Sequence, residues 1–481
     1  MLSLETVPYD VAYEIAGHLR GGLAAGPAQY KDLLSFSLVS KFCHYVSQSQ
    51  LVKQVDFYNR PHRRSILLLK TLLLNPGLCT KIITIRIPYT SSSVWGEELK
   101  LACPSFPKRK EFREAVLRHI EDNEFVDNWI TALYQNKRRS LDDRGAYHWT
   151  LAVLLLASNV RHLILNKDNY EMFDPLVEAL LGSPDAFPNL ESLHRCMTFD
   201  IGNNFIELLR YPRILTRPKL KVLTLDSANI NEEMDIYRAR GNNKFVANTC
   251  CVRTFTLNGK IPFGEGRRPF RSFPVVFQCL RSFIYNVGYD SEGFYGGHKE
   301  FGDQWMSPLR STLEHLAIRG TKGKGKAGHL WPFRLAQFER LKIFELTGYL
   351  LPWPSSAHPS WADFFAPTME ALVLHPGQQP SDLDMLPEIL LPSWENLSVN
   401  LDKIPVQFPC MKKLSLGGLI VSDGDLFQAI KKTLASAGVQ LEIRGRDILD
   451  DEVVNGWNGD APGISFNQGT NLDKWGANGW I

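Results

Sequence analysis

The stretch Leu220-Lys221-Val222-Leu223-Thr224-Leu225 puts apolar side chains at its first, fourth and sixth places. Its last three residues alternate with a period of two, which turns Leu223 and Leu225 to one face of a strand and Val222 and Thr224 to the other. The same pattern recurs as VRHLIL from Val160, VRTFTL from Val252, LRSFIY from Leu280, LEHLAI from Leu313, LKIFEL from Leu341, MEALVL from Met369 and MKKLSL from Met411. Weaker copies are IITIRI from Ile82, LESLHR from Leu190, with Arg195 in its last apolar place, and WENLSV from Trp394. From Val160 to Met369 the starts lie 30, 30, 32, 28, 33, 28 and 28 residues apart. A period this regular means one short strand per repeat, with the intervening residues carrying the chain back to start the next.

Strands stacked in this way make a parallel sheet, and the pattern resembles leucine-rich repeats from about residue 78 to 454. The resemblance implies an α/β fold: a curved, irregular solenoid of about ten or eleven repeats. The repeats are degenerate, because the Asn usual at the ninth place is replaced by Asp168, Ala228, Lys260 and Gly288, while Asn follows the hexad directly at Asn166, Asn258 and Asn286.

Working outward, residues 1–57 have a different character. Val7, Val11, Ile15 and Leu19 recur every four residues, predicting a helix that begins near Pro8, where the missing N–H costs nothing. A Gly- and Ala-rich break at 21–27 follows, and Asp32 to Val46 resumes a dense apolar pattern, so two or three short helices are expected. Leu4-x-x-Val7-Pro8-Tyr9-Asp10-Val11, Ile15 and Leu19, followed by Asp32-Leu33-Leu34-Ser35 and Leu38-Val39-Ser40-Lys41-Phe42, resembles the F-box over about residues 4 to 50, with a longer loop between Arg20 and Tyr30 than is usual. The resemblance implies docking on the Skp adaptor of a cullin-RING ubiquitin ligase, with the C-terminal domain capturing the protein to be modified. A three-helix module is too small to bury all of Pro8, Val11, Ile15, Leu33, Leu34, Val39 and Phe42, so part of that set is expected to form the adaptor surface. The competing reading is an interaction scaffold whose N-terminal helices only cap the repeat array.

Between the two regions, residues 58–77 read as a helical connector. An insertion at 88–150 starts as Pro-, Ser- and Lys-rich coil and continues in a charged helical stretch, Glu111 to Asn136. The tail, 455–481, is rich in Gly and Asn with Trp457, Phe466, Trp475 and Trp480 spaced along it, and suits a flexible segment.

Composition narrows the function. The 481 residues are 44% apolar and 22% charged, so a large core is available. Lys plus Arg number 54 against 51 acidic residues, and a net charge of +3 is too small for general phosphate binding. No apolar run reaches the roughly 20 residues that span a bilayer, and no secretory leader is legible, so the expectation is a cytoplasmic or nuclear protein without membrane or nucleic-acid partners. The eight cysteines have no CxxC spacing and read as reduced, mostly buried residues. Twelve histidines form no HExxH, and there is no GxSxG. Gly320-Thr321-Lys322-Gly323-Lys324-Gly325-Lys326-Ala327 approaches a phosphate-binding loop but has Ala327 where a magnesium-holding hydroxyl belongs, so it reads as a basic loop between repeats. The expectation is a non-catalytic chain with no metal and no cofactor.

A target protein must then be recognised by a surface. The outward residues that end each strand form a column, Asn166, Asp226, Asn258, Asn286, Arg319, Thr347, His375 and Asn400. Asp226, Asn258, Asn286, Arg319 and His375 are the candidate substrate-binding residues. The competing reading is that these asparagines bond local backbone at strand ends.

Overall fold

A computed structural model describes residues 7–20, 28–56, 68–69, 71–87, 159–167, 187–197, 217–229, 250–260, 277–287, 306–320, 335–347, 365–375, 403–417 and 424–444, with scattered positions between 110 and 157. They belong to two compact units, one ending at Gln54 and one spanning Val55–Arg446.

The first unit contains α1 (Tyr9–Arg20), α2 (Ala28–Ser37) and α3 (Lys41–Lys53). Pro8 starts α1 as its chemistry requires, its carbonyl accepting the Ala12 N–H at 3.0 Å. Ser40 caps α3: its backbone is extended and its hydroxyl accepts the Cys43 N–H at 3.1 Å, which gives the Val-Ser-Lys run a local structural reason. The interior consists of Ala12, Ala16, Leu33 and Val46, with Val7, Tyr13, Leu19, Phe36, Phe42 and Leu51 packed partly against it. The row of α1 is divided between core and surface: Val7 and Leu19 pack partly against the interior, and two of its members do not. Val11 and Ile15 are 46% and 39% exposed, because the small side of the helix, Ala12 and Ala16, faces the core instead. Steps of four residues overshoot one helical turn of 3.6, so such a row drifts around the helix and need not share one environment.

The second unit is an α/β fold built on a twelve-stranded sheet whose spatial order is the chain order. Its strands are β1 (Gln54–Asp56), β2 (Thr84–Ile87), β3 (His162–Lys167), β4 (Ser192–Met197), β5 (Val222–Asn229), β6 (Thr254–Lys260), β7 (Ser282–Val287), β8 (His315–Gly320), β9 (Ile343–Thr347), β10 (Ala371–His375), β11 (Lys413–Gly417) and β12 (Gln440–Arg444). Pairing from β2 through β12 is parallel throughout. The inward row Leu163, Leu193, Leu223, Phe255, Phe283, Leu316, Phe344, Leu372 and Leu414 is buried at 1% exposure or less. Where the row turns aromatic the rings stack, Phe255 lying 5.2 Å from Phe277 and 5.8 Å from Phe283 between centroids.

Each hexad begins in a turn, so the strand proper starts two residues after the first apolar side chain. That side chain closes the turn: the N–H of Leu190, Leu220, Leu280 and Met411 returns to the carbonyl of Phe187, Arg217, Phe277 and Phe408 at 3.0–3.1 Å. The next residue's carbonyl then accepts two successive N–H groups from the following strand. Arg253 O, for instance, takes Arg281 N at 2.8 Å and Ser282 N at 2.9 Å. The turn residue just before the hexad is also repeated, and its side chains touch: Asn189 Nδ2 donates to Asn159 Oδ1 at 3.0 Å, and Lys219 Nζ donates to Asn189 Oδ1 at 2.5 Å.

Two strand expectations change. β12, from the sequence VQLEIR, has Val439 buried and was not in the repeat count. β1 belongs to the sheet, although residues up to 57 were grouped with the helices. β10 pairs directly with β11; the weak copy WENLSV lies outside the described residues. The connector is helical where described, at 68–69 and 71–74, and ends in a 3-10 turn, Pro76–Lys81. In the Glu111–Asn136 stretch the described positions are helical, and Arg113 holds Asp127 through two hydrogen bonds at 2.5 and 2.9 Å. After β11, α4 (Gly424–Ser436) buries Ile430 and Leu434. Residues 321–334 of the Gly-Lys loop and the 455–481 tail lie outside the described residues.

Candidate functional site

Each unit has a candidate surface. On the helices, Tyr9, Val11, Ile15, Leu34, Leu38, Val39 and Tyr45 are 39–85% exposed, Leu38 the most. Pro8 is exposed and Phe42 half-buried. Leu33 is at 0% exposure and belongs to the interior, which removes it from any adaptor surface. Leu33 and Leu34 are adjacent on α2, so about 100° of helical rotation separates them, and one goes in while the other stays out. Leu38 and Tyr45 are exposed too, although neither belongs to the expected adaptor-binding set. Leu38 sits in the turn before the Ser40 cap, where an apolar residue has no helix face to bury it.

On the sheet, register decides which column residues meet. Asn258 pairs with Asn286, Asn286 with Arg319, Arg319 with Thr347 and Thr347 with His375, one row across β6 to β10. Asn286 donates from Nδ2 to Asn258 Oδ1, so these amides form a side-chain ladder as well as standing at strand ends. Asp226 does not join the row, because the β5–β6 register shifts between Leu225 and Ala228. Asn166 is placed opposite Cys196. The side chains of Asp226 and His375, and Asn400 altogether, lie outside the described residues.

Arg319 is engaged by a residue not anticipated. Its Nε and a terminal nitrogen donate to the two carboxylate oxygens of Glu345 at 2.8 and 2.9 Å, with both side chains half-buried. The guanidinium is therefore not a lone donor, and removing it leaves a shielded carboxylate without its partner. Glu345 was legible in principle: it lies between inward Phe344 and Leu346 on the strand next to Arg319.

Four residues earlier on β7 and β8, Ser282 Oγ lies 3.0 Å from His315 Nδ1. Burial pushes the His315 imidazole down to about 4, with Arg319 pushing the same way and Glu345 against it. The ring is thus neutral at physiological pH. In a nucleophilic relay the hydroxyl meets Nε2 and a carboxylate orients Nδ1. Here the hydroxyl occupies Nδ1 and Glu345 is held by Arg319, so the arrangement offers neutral hydrogen-bonding groups and a self-neutralised ion pair. Further along the face, Lys413 Nζ lies 3.0 Å from Glu442, which also accepts from Ser415 Oγ at 3.3 Å.

At the leading ends of the strands a second row alternates in charge: Arg161 faces Glu191 at 3.7 Å, Arg281 faces Glu314 at 3.3 Å, and Glu370 faces Lys342 at 3.9 Å and Lys412 at 2.5 Å. The hydrogen bond from Lys412 holds the Glu370 carboxyl below its ordinary value. The alternation lapses at Lys221, Arg253 and Arg281, which follow one another in this row without an acid between them.

Among the described residues no three His, Cys, Asp or Glu side chains are placed to hold a metal ion, and no helix is long and apolar enough to cross a membrane. Of the six cysteines whose side chains are described only Cys43 and Cys250 are buried; Cys79 and Cys251 are intermediate, and Cys279 and Cys410 exposed. The expectation of mostly buried cysteines is corrected, because four of them lie in or beside turns rather than in the inward rows. No family model matches the chain, and no curated protein matches it.

Proposed function

We propose that the chain is the substrate-recognition subunit of an SCF-type (Skp, cullin, F-box) ubiquitin ligase, with α1 to α3 as an F-box and the sheet unit as a degenerate leucine-rich-repeat solenoid that captures the target protein. The observation that carries the reading is the apolar set left outside a filled helical core: Val11, Ile15, Leu34, Leu38 and Val39 are exposed while Ala12, Ala16, Leu33 and Val46 are packed. An apolar surface of this kind, beside a core that does not need it, suits a protein partner. The Pro8 start and the Ser40 cap fall within the motif that carries the F-box resemblance. On the sheet unit, the amide ladder and the paired Arg319 and Glu345 suit polar recognition of a protein segment. The chain itself then carries out no bond chemistry; it raises the concentration of target lysines near a ubiquitin-loaded enzyme, in the cytoplasm or nucleus.

The test is co-purification with a Skp-type adaptor. The wild-type chain binds, and Leu34→Asp with Val39→Asp abolishes binding while the helical content of the chain is unchanged, because an unpaired charge in a buried interface is strongly unfavourable. Absence of wild-type binding, or binding that survives the double change, sinks the reading. Leu33 is unsuitable for this test, since charging a core residue unfolds the module and removes binding for an unrelated reason.

A further inference from the structure

The column of residues just before the hexads runs Asn159, Asn189, Lys219, Cys251, Cys279, Thr312, Arg340, Thr368 and Cys410, in turns at every place but Cys251 and Arg340. Its first members meet side chain to side chain across neighbouring repeats, at 3.0 and 2.5 Å. Cys251 and Cys279 are the next adjacent pair in the same column. They stand three residues ahead of Thr254 and Ser282, which are register partners, and two ahead of Arg253 and Arg281, which share a 2.8 Å backbone bond. Neighbouring strands lie about 4.8 Å apart, inside the roughly 4.4–6.8 Å between Cα atoms that a disulfide spans. Cys279 is exposed and Cys251 partly so, so an oxidant reaches them.

We propose that Cys251 and Cys279 are an oxidation site at which a peroxide converts two thiols into a disulfide joining β6 to β7. The Cys279 thiolate attacks one oxygen of hydrogen peroxide and the O–O bond breaks, giving a sulfenic acid and hydroxide, which takes the proton the thiol released to become one water. The Cys251 thiolate then attacks that sulfur, the S–S bond forms, the S–O bond breaks, and the departing hydroxide takes a proton to become a second water. In sum, two thiols and one peroxide give one disulfide and two waters, and two electrons pass from sulfur to oxygen.

Two neighbours define what the pair is not. Cys250 is adjacent in sequence, yet burial pushes its thiol up to about 12, so it stays protonated and is a poor nucleophile. Cys410 shares the column and is exposed, but the preceding member of the column is Thr368, so it has no thiol there to couple with.

The test treats the full chain with hydrogen peroxide, blocks remaining thiols with iodoacetamide and maps tryptic peptides without reductant. The expected result is a linked peptide joining 245–253 to 272–281 that dithiothreitol separates, with Cys410 still alkylated. Fragmentation of the linked peptide assigns the bond to Cys251, and Cys251→Ser and Cys279→Ser each abolish the link. A bond that maps to Cys250, a link that survives Cys251→Ser, or sulfinic acid at Cys279 without any link overturns the proposal. If a serine variant fails to fold, the fragmentation of the wild-type peptide decides alone.

Discussion

The helical unit and the sheet unit are both dense in apolar residues and dispose of them in opposite ways. In the sheet, every described first, fourth and sixth residue of the hexads from Val160 to Met411 is buried. In the helices, Val11, Ile15, Leu34, Leu38 and Val39 remain 39–85% exposed beside a filled core. A parallel strand has neighbours on both edges and a partner layer beneath it, so its inward positions are forced inside. A three-helix unit has little interior relative to its surface, and whatever the core does not take stays in water. The same sequence property therefore marks core in one unit and candidate contact surface in the other.

The largest expected effect follows from this contrast. Phe283 stacks on Phe255 and Tyr285 at full burial, so Phe283→Ala costs about 3–5 kcal/mol in urea unfolding. Leu38→Ala, at 85% exposure, stays within about 0.5 kcal/mol. Equal losses from the two changes would break the comparison, because Leu38 would then be serving a fold and not a surface.

Much of the sheet was legible because its signal is redundant: eight hexads from Val160 to Met369 state the same period, and a lapse such as Arg195 in β4 is outvoted by the strands on either side. β12 escaped because its register sets Leu441 opposite Leu414, which puts Gly438, at a left-handed φ of 77°, in the hexad's first apolar place. The helical unit states its pattern once. The choice between Ala12 and Val11 as the inward residue depends on how closely the helices approach, which periodicity alone does not encode. The recognition column was legible in composition but not in pairing. Register across strands brings Glu345 to Arg319 and leaves Asp226 in a bulge, and no local pattern announces either.

A middle-sized effect sharpens the sheet side of the contrast. His315 is held neutral by burial down to about 4, against an ordinary value of 6.5. Between those values the unfolded chain binds a proton that the folded chain does not, so stability is intact above about 6.5 and declines as the pH falls. From pH 7 to pH 5 the loss attributable to this ring is up to about 2 kcal/mol. His315→Asn removes the titrating group while keeping a polar side chain beside Ser282. Urea midpoints at both pH values test it: the wild-type difference shrinks in the variant, and an unchanged difference would assign the pH dependence elsewhere, with His162, whose imidazole burial also depresses, as the next ring to replace.

The smallest effect belongs to the helical side and separates two meanings of Ser40. Its hydroxyl caps α3 through the Cys43 N–H at 3.1 Å, and an exposed turn carrying Leu38 and Val39 immediately precedes it. If Ser40 matters only as a cap, Ser40→Ala lowers the stability of the helical unit by about 1 kcal/mol and Ser40→Asp restores it, since aspartate accepts the same N–H and favours the positive helix end. Adaptor binding then follows stability and recovers in the aspartate chain. If the hydroxyl is itself a contact, both variants lose binding alike whatever their stability. Measuring unfolding and co-purification on the two variants together distinguishes a residue that shapes the surface from one that belongs to it.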